Sequence, residues 1–252
     1  REDNPVLRTS PVRSMRPMPP TPRYLMLRPY LDDVSPCVRM EVAQVLAGVP
    51  ESELRPKDIA ELNPLFAEYL AVQNDHLDMP SVQLQLANFW LDRGESGKAE
   101  AALTEALLLN PQLEPALINL VDLLRRNGND TKASQLLSDA IQQSPDAGTL
   151  WFSQGLHQIR LGDTKAGLAS LKRAAELEDE GSRHRYVYAI ALNDTGSKSE
   201  AMSVLEALNS RHPGQADVLN GLLAFARDAG DRRRYEQYRT QLVTVLQATG
   251  AR

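Results

Sequence analysis

Five glycines, at positions 94, 128, 162, 196 and 230, follow one another at intervals of 34 residues. Each lies in a short polar break: Arg93-Gly94-Glu95, Asn127-Gly128-Asn129, Leu161-Gly162-Asp163, Thr195-Gly196-Ser197 and Ala229-Gly230-Asp231. Five residues beyond the first four stand Ala99, Ala133, Gly167 and Ala201; twelve beyond stand Ala106, Ala140, Ala174 and Leu208. Seventeen beyond, proline recurs as Pro111, Pro145 and Pro213, with Asp179 in its place in the third unit. A register held by several columns at once is an internal repeat, and it restricts the chain to a stack of like units.

The columns have a physical reading. Before the glycines, apolar residues recur at helical spacing: Leu86, Trp90 and Leu91, then Leu117, Leu120, Val121 and Leu124. After the first glycine they recur again as Ala99, Ala102, Leu103, Ala106 and Leu107. Each unit therefore reads as two amphipathic helices. Glycine supplies the left-handed residue that ends the first helix, and proline stops the second. The small residues let the two helices approach closely. One such hairpin cannot bury its apolar face alone, so neighbours have to stack. Composition agrees: aromatics are only 5% of the chain, and abundant Leu and Ala favour helices over sheets.

This period, with small residues, leucines and terminal prolines in these columns, resembles the tetratricopeptide repeat (TPR). The resemblance covers residues 80–252 and implies units at 80–113, 114–147, 148–181, 182–215 and 216–252. The fifth departs from the pattern, with Tyr235, Arg239 and Gln247 in the small, apolar and proline columns, as a polar capping helix would. The implied fold is all-α: a right-handed α-solenoid of stacked helical hairpins preceded by HEAT-like helices.

Residues 1–55 keep a different register. Asn4-Pro5-Val6-Leu7-Arg8 matches Ser35-Pro36-Cys37-Val38-Arg39 at an offset of 31. The later copy, with Leu31, Asp33, Pro36, Val38, Arg39, Val42, Ala43 and Leu46, resembles a HEAT-type repeat. That resemblance implies a ladder in which Arg39 pairs with an aspartate such as Asp33. Pro17, Pro19, Pro20 and Pro22 are expected to exclude helix between the copies. From 56 to 79, Ile59, Leu62, Leu65, Phe66, Tyr69 and Leu70 predict a bridging helix. The first 30 residues carry six Arg against Glu2 and Asp3, a net of +4, so the remainder carries −9 of the −5 total.

Chemistry is scarce. His76, His157, His184 and His212 lack metal-ligand spacing and read as structural or solvated. Gly97-Lys98 imitates a phosphate loop, but Asp92 stands where the first glycine belongs and Ala99 replaces the metal-binding hydroxyl. The one cysteine, Cys37, excludes a disulfide framework and any cysteine-built zinc, iron–sulfur or haem-attachment site within the chain; it reads as a small buried hydrophobe. Arg232, Arg233 and Arg234 read as a solvated turn. A net charge of −5 argues against nucleic-acid binding, and no run of 18 apolar residues exists to cross a membrane. No catalytic, metal-binding or cofactor-binding residue is expected, and the chain is not expected to be an enzyme.

In the TPR family the first helix of each unit lines a concave groove. The matching columns here are Leu84, Asn88 and Leu91; Ile118, Asp122 and Arg125; Phe152, Leu156 and Ile159; and Tyr186, Ile190 and Asn193. Leu91 and Ile159 divide evenly between groove lining and packing between units. Apolar residues on a wet groove point to a protein or peptide partner. TPR proteins that hold chaperone C-terminal carboxylates pair two asparagines with three cations. Asn88 and Asn119 stand at the asparagine positions, but Leu84, Thr149 and Ser153 stand at the basic ones. No carboxylate clamp is expected. The asparagines are instead suited to an extended peptide backbone.

The order of HEAT-like helices, bridging helix and TPRs is similar to the C-terminal part of bacterial multihaem c-type cytochrome proteins. That resemblance implies a periplasmic module whose haem sits in a domain upstream, with the +4 segment as the join. Beginning at Arg1, the chain is expected to be a processed product or an excised part. The alternatives are an electron-transfer protein whose haem-binding part lies outside this chain, or a cytoplasmic assembly or regulatory factor.

Overall fold

The computed structural model describes residues 5–177 and 182–248. Glu2, Asp3, Asn4 and Asp179 fall outside the described residues. Among the described residues there are fourteen α-helices, two short 3-10 segments and no strand. They form two compact units, one ending at Asn129 and the other starting at Asp130.

The first unit holds α1 (Pro5–Ser14), α2 (Pro20–Leu27), α3 (Pro36–Ala47), α4 (Pro56–Asn74), α5 (Pro80–Asp92), α6 (Ser96–Leu109) and α7 (Glu114–Arg126). The expected proline break is shorter than the sequence implied. Helix α2 begins on Pro20 and carries Pro22 in its first turn. Proline is tolerated there because first-turn N–H groups have no acceptor within the helix anyway. Val38, Val42, Ala43 and Leu46 of α3 are buried against Tyr24 and Leu27 of α2 and against Leu62, Leu65, Phe66 and Tyr69 of α4. The bridging segment is thus part of this core. Phe89 of α5 joins the same core, stacked on Tyr69 at 4.9 Å and edge-on to Phe66 at 5.5 Å.

Three arginines of the basic N-terminal stretch meet acids inside this unit. Arg13 pairs with Glu41 of α3 at 2.6 Å, Arg28 with Glu61 of α4 at 2.5 Å, and Arg16 with Asp92 of α5. The buried Arg23 donates to the carbonyls of Arg16 and Gly48, each at 2.8 Å. Arg39 donates to the main-chain carbonyl of Asp33 at 2.5 Å and sets the rest of its fork on Glu68 of α4, at 2.9 and 2.5 Å. Its ion pair therefore reaches forward into α4.

The second unit holds α8 (Asp130–Gln143), α9 (Gly148–Arg160), α10 (Thr164–Leu177), α11 (Arg183–Asp194), α12 (Lys198–Arg211), α13 (Ala216–Asp228) and α14 (Arg232–Ala248). Its core is columnar: Leu171, Ala174, Leu192, Ala201, Leu205, Leu208, Leu219 and Leu222 are all buried. Helix α14 buries only Tyr238, whose hydroxyl donates to Glu206 at 2.6 Å.

The five register glycines have φ between 69° and 91°, left-handed backbone that glycine adopts without strain. At the first of them Gly94 N–H donates to Leu91 at 3.1 Å and Glu95 N–H to Trp90 at 2.8 Å. The same two bonds close the other four turns, and this double bond pattern satisfies carbonyls that the helix end would otherwise strand. The small columns set how near the helices lie. A Cβ on Gly167 would sit 2.5 Å from Ile159 Cγ1 and 2.9 Å from the Gly155 carbonyl oxygen. Facing it, a Cβ on Gly155 would meet Leu171 Cγ at 2.7 Å. Backbone cannot yield as a flexible side chain does.

Two outcomes follow. Gly167→Ala is expected to lose about 1–3 kcal/mol by overpacking, outweighing about 1 kcal/mol of helix propensity gained. Gly97→Ala, with nothing within 4 Å of its Cβ, is expected to be neutral or stabilising. Urea titration followed by far-ultraviolet circular dichroism checks both. The carboxylates of the first unit carry a pH dependence as well. The Arg55 fork holds Asp58 at about 2 instead of the usual 3.8, and Arg28 and Arg39 hold Glu61 and Glu68 below their usual 4.5. Values depressed by folding stabilise the folded state above the ordinary carboxylate range, and that stabilisation is lost as pH falls toward 2. Asp58→Asn is expected to weaken the protein at neutral pH and to flatten its stability profile between pH 4 and 2, as acid titrations will show.

Candidate functional site

In the first unit the candidate face is carried by α5 and α7. Spacings of three and four residues set Leu84, Asn88 and Leu91 along one side of α5, and Ile118, Asp122 and Arg125 along one side of α7. Leu84, Asn88, Leu91, Ile118, Asn119 and Arg125 are half-buried and Asp122 is exposed, so the face is neither core nor bare surface. Asn119 Nδ2 donates to Asn88 Oδ1 at 2.9 Å. Among the described residues that is the one hydrogen bond of either amide. Asn88 keeps its NH2 donors and Asn119 its carbonyl oxygen, a donor and an acceptor side by side, as an extended backbone requires. Arg125 pairs with Asp122 at 2.8 Å, and its Nε is buried without a partner.

Asn88 also borders a cavity of about 50 Å³ lined by Arg16, Gln44, Gln85, Phe89 and Asp92. Burial pushes the Asp92 carboxyl up, and Arg16 and Arg23 draw it back. Gln85 and Asp92 lie within one turn of Asn88 and were legible as its neighbours. Arg16 and Gln44 come from α1–α2 and α3, and no local pattern in the sequence links them to Asn88.

The second unit treats its columns differently. Phe152 is a core residue, 7% exposed, stacked on His184 at 4.7 Å with the Arg183 guanidinium 5.4 Å from its ring centre. This corrects its expected place on an open groove. Tyr186 is half-buried, and a Cβ on Gly221 of α13 would lie 3.3 Å from its ring, so it fills space left by a glycine of the next hairpin. Leu156, Ile159 and Ile190 pack against the same core. Asn193 is half-buried beside the Gly196 turn. Tyr186 and Ile159 face Gly221 and Gly167 on the following helices, whereas Phe152 is held by the ring of His184.

His157 is 1% exposed; its Nε2 lies 2.8 Å from Ser134 Oγ, and its Nδ1 faces the Arg160 guanidinium at 3.4 Å. Cys37 is exposed in the first turn of α3, which corrects its expected burial: the buried positions of that turn begin at Val38. Among the described residues no three metal-ligating side chains converge, and no helix is long and apolar enough to cross a membrane. Phe152→Ala is expected to cost about 3–5 kcal/mol of stability, a loss that thermal denaturation will register before any binding assay can be interpreted.

No family model matches the chain. Over 97 residues it is 34% identical to the cellulose synthase operon protein C of Komagataeibacter xylinus, a stretch amounting to 38% of this chain and 8% of that protein. Several solved structures share the fold. The MamA protein has a TM-score of 0.55 at 15% identity, covering 68% of this chain and 93% of its own. YrrB, a TPR protein with an unusual peptide-binding site, has a TM-score of 0.50 at 19% identity, covering 70% and 91%. A tetratricopeptide repeat protein from Parabacteroides merdae has a TM-score of 0.54 at 16% identity, covering 77% and 82%. The fold is that of the TPR solenoids.

Proposed function

We propose that the chain is a non-catalytic protein-interaction scaffold that takes an extended peptide segment of a partner along the α5/α7 face. The observation that carries this reading is the Asn88–Asn119 amide pair, bonded to itself at 2.9 Å yet keeping one donor and one acceptor. An extended chain presents its N–H and C=O groups in that alternation, and side chains on either side of it would rest on Leu84 and Ile118. The likeness to a TPR protein described as having a peptide-binding site supports the reading.

A second reading places these repeats within a longer bacterial protein linked to cellulose synthesis. It is favoured by the 97-residue likeness to the cellulose synthase operon protein C. The association with a multihaem cytochrome and a periplasmic location rests on the order of elements alone. One of its supports is weaker than the sequence suggested, because Arg13, Arg16 and Arg28 are engaged in ion pairs within the first unit. Asn88→Asp, which removes the free donor without changing shape, and Asn119→Ala are each expected to weaken capture of peptides selected on the wild-type protein by about tenfold, with helicity unchanged. Fluorescence anisotropy on the labelled peptides provides the measurement; unchanged affinity in both variants would remove this face from consideration.

A further inference from the structure

The second unit contains a cleft of about 380 Å³ among α10, α11 and α12, lined by Lys172, Ala175, Glu176, Arg185, Tyr188, Val204, Ala207, Leu208 and Arg211. We propose that this cleft is a second docking site, independent of the α5/α7 face, and that its occupant is an acidic segment of a partner protein carrying an aliphatic side chain next to its carboxylates.

Charge is the first ground. Acidic residues outnumber basic ones in the chain by 33 to 28, yet this cleft sets Lys172 and Arg211 against the single acid Glu176; Arg185, also in the lining, has interactions of its own and is left out of this balance. Lys172 and Arg211 are exposed and form no ion pair among the described residues. The one acid is already engaged, since Glu176 faces Arg173 at 3.9 Å. The polar end of Tyr188 is engaged too, its hydroxyl donating to Glu200 at 3.1 Å.

The repeat supplies the second ground. What the solenoid needs for packing recurs every 34 residues, so a feature that fails to recur is not required by the stack. One period earlier the positions of Lys172, Arg185 and Arg211 are Ser138, Trp151 and Leu177; one period later they are Glu206, Leu219 and Val245. None of the six is a cation. The apolar positions do keep the family's character: Ala175 and Leu208 are 8% and 1% exposed and belong to the core. The cations are therefore an addition to one junction of an otherwise regular scaffold.

The chemistry of the lining selects the occupant. Cations over a floor of Ala175, Val204, Ala207 and Leu208 favour a ligand with both a negative group and an apolar one. Inorganic phosphate has no apolar part, and the net charge of −5 opposes a polyanion such as nucleic acid. Glutamate and leucine side by side on a partner segment satisfy both demands.

The full chain, labelled with nitrogen-15, is titrated in the NMR tube with acetylated, amidated Leu-Glu-Glu-Leu-Leu, with its Gln-for-Glu counterpart, and with inorganic phosphate. The expected result is saturable movement of resonances from 172–176 and 204–211 by the acidic peptide, with binding about tenfold weaker for the Gln peptide. Lys172→Glu combined with Arg211→Glu, both at exposed positions, is expected to abolish that movement while circular dichroism stays unchanged. Asn88→Asp should leave it intact, which separates this site from the α5/α7 face. Equal binding of the Gln peptide, displacement by phosphate alone, or an absence of movement in these two segments would each overturn the proposal.

Discussion

A helical hairpin of this kind has more apolar surface than its own seam can cover, and the rest of the molecule answers to that excess. Leu103, Leu137, Leu171 and Leu205 stand at one column and are each fully buried, though no single hairpin could hide them. Covering them requires a neighbour, and a neighbour can come close only where the facing side chains are small. Gly155 and Gly167 are the extreme case, with backbone from one helix within about van der Waals reach of the other. The left-handed glycine turns are a consequence: they reverse the chain in few enough residues that the next helix falls back onto the one just made.

The first unit solves the problem of a beginning differently. A stack has an open end, and here it is closed by α1–α4, whose core is continued by Phe89 of the first TPR-like hairpin. The arginines of this segment reach forward to acids on α3, α4 and α5, so the covering helices are tied by charge as well as by apolar contact. Exposed pairs of this type contribute little singly, but several arranged across the same helices specify register. The strong separation of charge along the sequence is therefore internal bookkeeping of the fold.

Function in such a scaffold resides in what the stack does not use. The Asn88–Asn119 pair retains hydrogen-bonding capacity on a half-buried face. The cations around the α10–α12 cleft break the repeat pattern where packing had no demand for them. By contrast the aromatic residues Phe152 and Tyr186, which looked like binding residues by column, are held by His184 and by the space over Gly221. A column predicts which side of a helix a residue occupies. It does not say how large the residue opposite will be.

The sequence by itself determined the helices, their turns and their period, because each depends on residues close in the chain: a glycine that can be left-handed, a leucine face with helical spacing, a small residue at the seam. Leu117, Leu120, Val121 and Leu124 recur at helical spacing and are buried together on α7. Only the tertiary structure decided where the arginines of the first 30 residues go, that helix resumes at Pro20, that Cys37 is exposed, and that the candidate face divides into a polar part in one unit and a packed part in the other. Those outcomes depend on pairs such as Arg16 with Asp92, 76 residues apart, and on the volume of whatever lies across a helix seam. Local periodicity contains neither quantity, since both arise when distant segments are brought into contact.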